Sequence, residues 1–229
     1  MTKAFLFSIA AFLFMANSVR AQYPYGDHWY DNPLGFKPVE LHASMGFILP
    51  AVAVGACVLF TKKDPDLKNR FSIYNETGIS WGYKYPHTFL TQNNTGINFQ
   101  LRKFMSIGAE FDVYFPKDDF NNTTGFAIRP FARFYPVNKE NWKLYFESGG
   151  GFIYLLGEFP KPTDRDERLG TQWNGTTKYG VGCELALTPA YSLLFGVRHL
   201  HISNGNTKGV ERNPSHDSNG FFLGLSLHL

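Results

Sequence analysis

Apolar and polar side chains alternate one for one along most of this chain, and that period of two leaves few folds open. From Met105 to Phe115, the residues Met105, Ile107, Ala109, Phe111, Val113 and Phe115 are apolar, while Ser106, Gly108, Glu110 and Asp112 are small or charged. The same spacing runs through Tyr179, Val181, Cys183, Leu185 and Leu187, with Gly180, Gly182, Glu184 and Ala186 between them. It returns in Phe221, Leu223, Leu225, Leu227 and Leu229, against Gly224, Ser226 and His228. Successive side chains of a strand point to opposite faces, whereas a helix repeats every 3.6 residues, so these segments read as strands. In a soluble sandwich one face meets the core and the other meets water, so alternation alone leaves two classes of fold. Here the non-apolar set is rich in glycine and carries both signs of charge: Glu110, Asp112, Arg129, Arg133, Glu147, Glu184 and Arg198. Small side chains and opposed charges suit the crowded lumen of a narrow barrel, with the apolar set turned to lipid. The pattern predicts an all-β, antiparallel transmembrane β-barrel, with a soluble β-sandwich as the competing fold.

The connections point the same way. Strands are expected at 70–85, 95–103, 104–115, 126–137, 142–157, 176–188, 191–203 and 219–229, which is eight. Tight joints at Arg102-Lys103, Asn138 to Asn141 and Thr188-Pro189-Ala190 alternate with long polar loops at 116–125, 158–175 and 204–218. Short turns at one rim and long loops at the other are how outer-membrane barrels are strung. Val39 to Leu49 also alternates, with Val39, Leu41, Ala43, Met45, Phe47 and Leu49 against Glu40, His42, Ser44 and Gly46. Bacterial single-chain barrels have even strand numbers, so this segment either stays outside the eight or brings Ala51 to Phe60 with it as a tenth. Eight is the expectation and ten the alternative. Glu110 and Asp112 against Arg129 and Arg133 are expected to form an interior charge network.

The start of the chain reads as an address. Lys3 precedes an apolar stretch from Ala4 to Ala16, and Val19-Arg20-Ala21 offers small or modest side chains for cleavage before Gln22. A spanning helix needs roughly 20 apolar residues, so this is a secretory signal peptide. The expected organisation is a signal peptide at 1–21, an N-terminal leader with one possible extra strand at 22–69, and an outer-membrane barrel at 70–229. The 229 residues can bury a sizeable core, and a net charge of +3 gives no case for a nucleic-acid partner. Cys57 and Cys183 make neither a disulfide framework nor a C-x-x-C pair, and Cys183 faces lipid by parity, so both are expected to be inert.

The strand Tyr191 to Ser203 breaks the pattern informatively. Its outward positions run Leu193, Phe195, Val197 and then His199, His201 and Ser203. Polar groups facing lipid are costly and default to a functional reading, against the plainer one that they cap the strand at headgroup level. His201 and Ser203 share a strand face with Cβ atoms about 7 Å apart, and a histidine so placed can take a serine proton. His199, His201, His216 and Asp217 could also gather around a metal, but without a thiolate or a second clear ligand pair no metal is expected.

The run His201-Ile202-Ser203-Asn204-Gly205-Asn206, followed by Asn213-Pro214 and Asn219, resembles the outer-membrane lipid A deacylase family known as PagL and its acyloxyacyl-hydrolase-like relatives. The likeness is sharp over 199–229 and architectural before it. It implies an eight-stranded barrel whose site, on the outer wall, cleaves an ester-linked acyl chain from lipid A. Carried over, Ser203 is the nucleophile and His201 the general base. Asn204, with the backbone N–H groups of Gly205 and Asn206, supplies oxyanion donors for charge that develops at the tetrahedral stage. The family's acidic position falls on Asn219, an amide, which can orient a histidine but cannot offset imidazolium charge. Asp217 shares the outward parity of Asn219 and could substitute, with Glu211 as a third candidate.

The function expected is therefore that of an outer-membrane carboxylic-ester hydrolase acting on lipid A, lipopolysaccharide or a related glycolipid. It uses no cofactor, meets its substrate in outer-membrane lipid, and leaves a homodimer open. The alternative is a non-enzymatic small barrel, an adhesin or surface-interaction protein. A third reading is a soluble secreted β-protein.

Overall fold

The computed structural model describes residues 43–65, 67, 70–82 and 88–229, so the expected signal peptide and the leader up to residue 42 lie outside the described residues. Eight strands follow one helix: α1 Ala43–Phe60, then β1 Phe71–Gly82, β2 Phe89–Arg102, β3 Met105–Lys117, β4 Gly125–Asn138, β5 Trp142–Leu155, β6 Trp173–Ala186, β7 Tyr191–Ser203 and β8 His216–His228. Each strand pairs antiparallel with the next, and β1 pairs with β8 from Ser72↔His228 to Gly82↔Ser218, which closes the barrel. Closure removes both sheet edges, so every strand has two partners for its backbone groups. No helix among the described residues is long and apolar enough to cross a membrane.

Parity sorts the side chains as the alternation requires. The apolar set stands outward and exposed, with Ile73, Ile97, Phe111, Ile128, Phe152, Leu223 and Leu225 among it. The charged set is inside. Arg129 bridges Glu110 at 2.6 Å and Asp112 at 2.8 Å. Lys178 reaches Glu110 at 2.7 Å, Glu147 at 3.1 Å and Glu76 at 3.2 Å, and Arg198 meets Glu76 at 2.7 Å. Arg133, expected opposite Glu110 and Asp112, pairs instead with Glu147 at 2.7 Å. The register explains this, because Arg133 lies across from Ser106 on one side and from Glu147 on the other. Two apolar layers border the charges. One holds Leu90, Tyr114, Ala127, Ile153, Leu155, Leu200 and Ile202; the other holds Tyr74, Phe131, Tyr135, Tyr145, Leu194 and Phe222. Tyr74 and Tyr114 tie each layer to the charges, through Tyr74 Oη to Glu110 Oε2 at 2.7 Å and Arg129 to Tyr114 Oη at 2.8 Å.

Two segments depart from expectation. β2 begins at Phe89 rather than at 95. After Phe89 its next outward residues are Thr91, Asn93 and Thr95, polar groups where alternation predicts apolar ones. They are satisfied locally: Asn75 Nδ2 donates to Asn93 Oδ1 at 2.9 Å and to Thr95 Oγ1 at 2.8 Å, and Asn93 Nδ2 donates to Thr77 Oγ1 at 3.1 Å. The second departure is a correction. Of the segments 39–49 and 51–60 that the ten-strand alternative needed, residues 43–60 form α1, and the barrel has the expected eight strands. α1 carries no charge and is apolar on every side, so it has no helical stripe to read. Pro50 and Gly55, which look like breakers, sit inside it.

α1 lies against the barrel at β5, flanked by β4 and β6, and touches β3 and β7. Its far end is pinned at the short-turn rim. Arg102 donates to Thr61 Oγ1 at 2.9 Å and to the Thr61 carbonyl at 3.0 Å, and the Lys103 amide donates to Asp64 Oδ2 at 2.9 Å.

Candidate active site

The long-loop ends of β7 and β8 bring five polar side chains onto the outer wall. Strand pairing sets His201 opposite Asp217 and His199 opposite Asn219, all four on one face. His201 Nδ1 lies 2.6 Å from Asp217 Oδ1. A carboxylate oxygen accepts, so Nδ1 is the donor in this contact. His199 Nδ1 is 3.0 Å from Asn219 Oδ1, and its Nε2 is 3.4 Å from Asp217 Oδ1, so Asp217 stands between the two imidazoles. The His199 ring packs on Tyr179, with centroids 4.8 Å apart. His201 is only 6 % exposed and Asp217 1 %, although both project from the outside of the barrel. At that burial their charge-assisted hydrogen bond is screened little by water.

Ser203 ends β7 on the same face. Its Oγ donates to Asn213 Oδ1 at 3.0 Å and accepts from the Gly205 amide at 3.1 Å. Asn213 therefore holds the turn after the serine: Oδ1 also accepts from the Asn204 amide at 3.1 Å, and Nδ2 donates to Asn206 Oδ1 at 2.7 Å. Asn206 and Gly205 turn the chain with φ of 62° each. Positive φ suits Gly and is tolerated by Asn, so these residue types fit the bend.

The expected oxyanion donors separate in this geometry. The Gly205 amide points at Ser203 Oγ, while the Asn206 amide is committed to Asn204 Oδ1 at 2.9 Å. The Asn204 side chain is buried and donates away from the serine, to Thr171 Oγ1 at 3.1 Å and to the Arg212 carbonyl at 2.6 Å. Asn219, the family's acidic position by resemblance, serves His199, and Asp217 is the carboxylate on His201. Glu211 is exposed in a short 3-10 turn, Val210–Arg212. His216 pairs with Ile202 on the inward parity, so it faces away from His199 and His201. No group of three His, Cys, Asp or Glu side chains among the described residues is placed to hold a metal ion. Cys57 and Cys183 are both free thiols.

Three neighbours were given no role at the site by the sequence reading. Asn213 is one. Tyr179 and Thr177 are the others, outward on β6 and paired in register with His199 and His201. Extending the parity of Tyr179 back by two residues would have exposed Thr177 as another polar group on the lipid-facing set.

The profile of the lipid A 3-O-deacylase (PagL) family matches residues 113–226, which hold every residue of the site just described. The crystal structure of the outer membrane enzyme PagL is 14% identical, with a TM-score of 0.50 over 66% of this chain and 97% of that one. The crystal structure of Neisserial surface protein A (NspA) is 11% identical, with a TM-score of 0.50 over 71% of this chain and 98% of that one. At such identities these likenesses establish the fold. No curated protein matches the chain. A closed eight-stranded barrel with an apolar outer wall, together with the family match, makes this an outer-membrane β-barrel whose residues 113–226 match the lipid A 3-O-deacylase (PagL) family.

Proposed function

We propose that the chain is a serine esterase that removes an ester-linked acyl chain from lipid A or a related glycolipid, with Ser203 as nucleophile, His201 as general base and Asp217 as the carboxylate that orients it. The observation that carries the reading is the 2.6 Å contact of His201 Nδ1 with Asp217 on the lipid-facing wall, one strand step below Ser203. A buried acid–imidazole pair at the membrane surface is costly unless it is used. By accepting from Nδ1, Asp217 makes Nε2 the nitrogen that takes the serine proton, which is the role of the acid in a Ser-His-Asp triad.

The reaction has two halves. Ser203 Oγ attacks the acyl carbonyl carbon while its proton passes to His201 Nε2. The Gly205 amide, which at rest donates to Ser203 Oγ itself, is assigned as the donor to the oxyanion that forms beside it. The bond from the carbonyl carbon to the sugar oxygen then breaks, and His201 returns the proton to that oxygen. Water repeats the sequence on the acyl–Ser203 ester, releasing a fatty acid and restoring the serine. In the resting arrangement the Ser203 hydroxyl donates to Asn213 Oδ1, so attack requires it to exchange that acceptor for His201. Catalytic hydrogen bonds often tighten only when substrate is bound.

The same reading assigns residues 1–21 as a signal peptide cleaved near Ala21, 22–69 as a leader and 70–229 as the barrel. The test is mass spectrometry of purified lipid A incubated with detergent-refolded protein, wild type beside Ser203→Ala. Loss of one acyl mass, absent with the variant, is the expected result. Unchanged lipid A with a well-folded, heat-modifiable barrel would favour a non-enzymatic surface-interaction barrel.

A further inference from the structure

α1 lies outside residues 113–226, the part of the chain the family matches, yet it ends at the catalytic wall. A Cβ built on Gly46 would overlap Thr177 Cγ2 and press on Thr177 Oγ1 and the Gly149 carbonyl. The helix backbone is thus seated directly on Thr177. That threonine faces outward on β6, lies opposite His201 in the β6–β7 register, and is 0 % exposed. Its Oγ1 has no hydrogen-bond partner among the described residues. From there α1 crosses the outer wall over β5, flanked by β4 and β6, to Thr61 at the short-turn rim.

This placement makes the surroundings of the site unequal. On the β6 side the helix closes the wall beside His201, and it presents exposed Phe47, Ile48 and Val52. On the other side, the outer faces of β7 and β8 below the catalytic residues are bare and apolar, with Phe195, Phe221 and Leu223 exposed. An acyl chain esterified at Ser203 must run down the wall into hydrocarbon, and among the described residues α1 is the ridge that bounds this apolar floor. We propose that α1 is a specificity-determining element: with the outer faces of β7 and β8 it forms a groove for the acyl chain of the substrate ester, and the seat of Gly46 on Thr177 sets the position of the groove wall. The inference rests on the esterase reading above. It explains why a glycine occupies Gly46, since any side chain there lifts the helix off Thr177 and moves the ridge.

The test compares Gly46→Leu with Gly55→Leu on the same helix, where an added Cβ meets nothing within 4 Å. Refolded proteins are assayed on matched glycolipid esters carrying short and long acyl chains. One methylene in an apolar pocket is worth about 10-fold or more in discrimination, so Gly46→Leu should change the long-to-short kcat/KM ratio by roughly 10-fold. Gly55→Leu should leave that ratio at the wild-type value. As a second readout, Ser203→Ala protein is irradiated with an ester whose acyl chain bears a diazirine. Label on residues 47–52 and on β7–β8 is expected. Wild type that cleaves no ester, or Ser203→Ala that still cleaves, would remove the esterase reading itself. An active wild type with a dead Ser203→Ala, together with equal acyl ratios in both glycine variants or label confined to β1 and β2, would overturn the groove while leaving the esterase intact. If Gly46→Leu does not refold, the label alone decides.

Discussion

Asp217→Asn isolates the contact on which the proposed chemistry depends. The carboxylate accepts the His201 Nδ1 proton at 2.6 Å and is 1 % exposed. An amide of the same size keeps the shape but presents a donor as well as an acceptor. When its N–H faces Nδ1, the proton moves to Nε2 and the base is lost. The equivalent change in a Ser-His-Asp triad lowers kcat about 10⁴-fold. His199 is also within 3.4 Å of Asp217, so some of the variant's imidazole partners rearrange. We expect a loss of about 10³-fold in kcat, roughly 4 kcal/mol at 1.36 kcal/mol per decade, with KM within about 3-fold. Asn219→Ala, which touches His199 rather than His201, should cost less than about 10-fold by losing one neutral hydrogen bond. The assay is steady-state release of fatty acid in mixed micelles, with heat-modifiable gel mobility as the check on folding. Asp217→Asn keeping more than a tenth of wild-type kcat would refute the assignment, as would an equal loss in Asn219→Ala.

Three further outcomes are expected. Asn213→Ala removes the acceptor shared by Ser203 Oγ and the Asn204 amide, so kcat should fall about 10-fold, read in the same assay. Glu76→Gln breaks the carboxylate that Arg198 and Lys178 share inside the lumen; urea unfolding followed by gel mobility should lose about 3–5 kcal/mol, with the outer-wall site intact in the survivors. Ile128→Lys places a cation on the lipid-facing wall, at a position 66 % exposed, and should cost about 2–4 kcal/mol in the same unfolding measurement if Ile128 lies near the bilayer midplane.

Period two was enough to read the barrel, because each strand buries one face and a slip of one residue would turn its charges into lipid. It also placed His201 and Ser203 outward before any coordinates. What it could not resolve was which of Asp217 and Asn219 meets His201. Both have the right parity, and only the pairing of β7 with β8 across a 12-residue connection separates them. β2 was truncated for a related reason. Thr91, Asn93 and Thr95 invert the expected polarity, and their partners Asn75 and Thr77 are distant in sequence. α1 misled differently. Alternation over 39–49 continues into a segment apolar on all sides, so its earlier half mimics a strand, and Pro50 and Gly55 argue against a helix in water. On a lipid-facing wall those residues are tolerated more readily. Arg133 chose Glu147 because the register offered Ser106 on its other flank.

The interior charge cluster also bears on how the chain enters its membrane. Glu76 sits on β1, yet its cations are Lys178 on β6 and Arg198 on β7, 102 and 122 residues away. Glu110, Arg129 and Glu147 come from three different strands between them. None of the early hairpins can neutralise Glu76 alone. A hairpin pushed singly into hydrocarbon would carry bare charges at about 2.5–3.5 kcal/mol each, and more on an isolated element. The charge on Glu76 is matched only when β1 is brought into the same barrel as β6 and β7. Insertion of the β1–β2 hairpin by itself is therefore disfavoured, because Glu76 finds its cations only in strands made a hundred residues later.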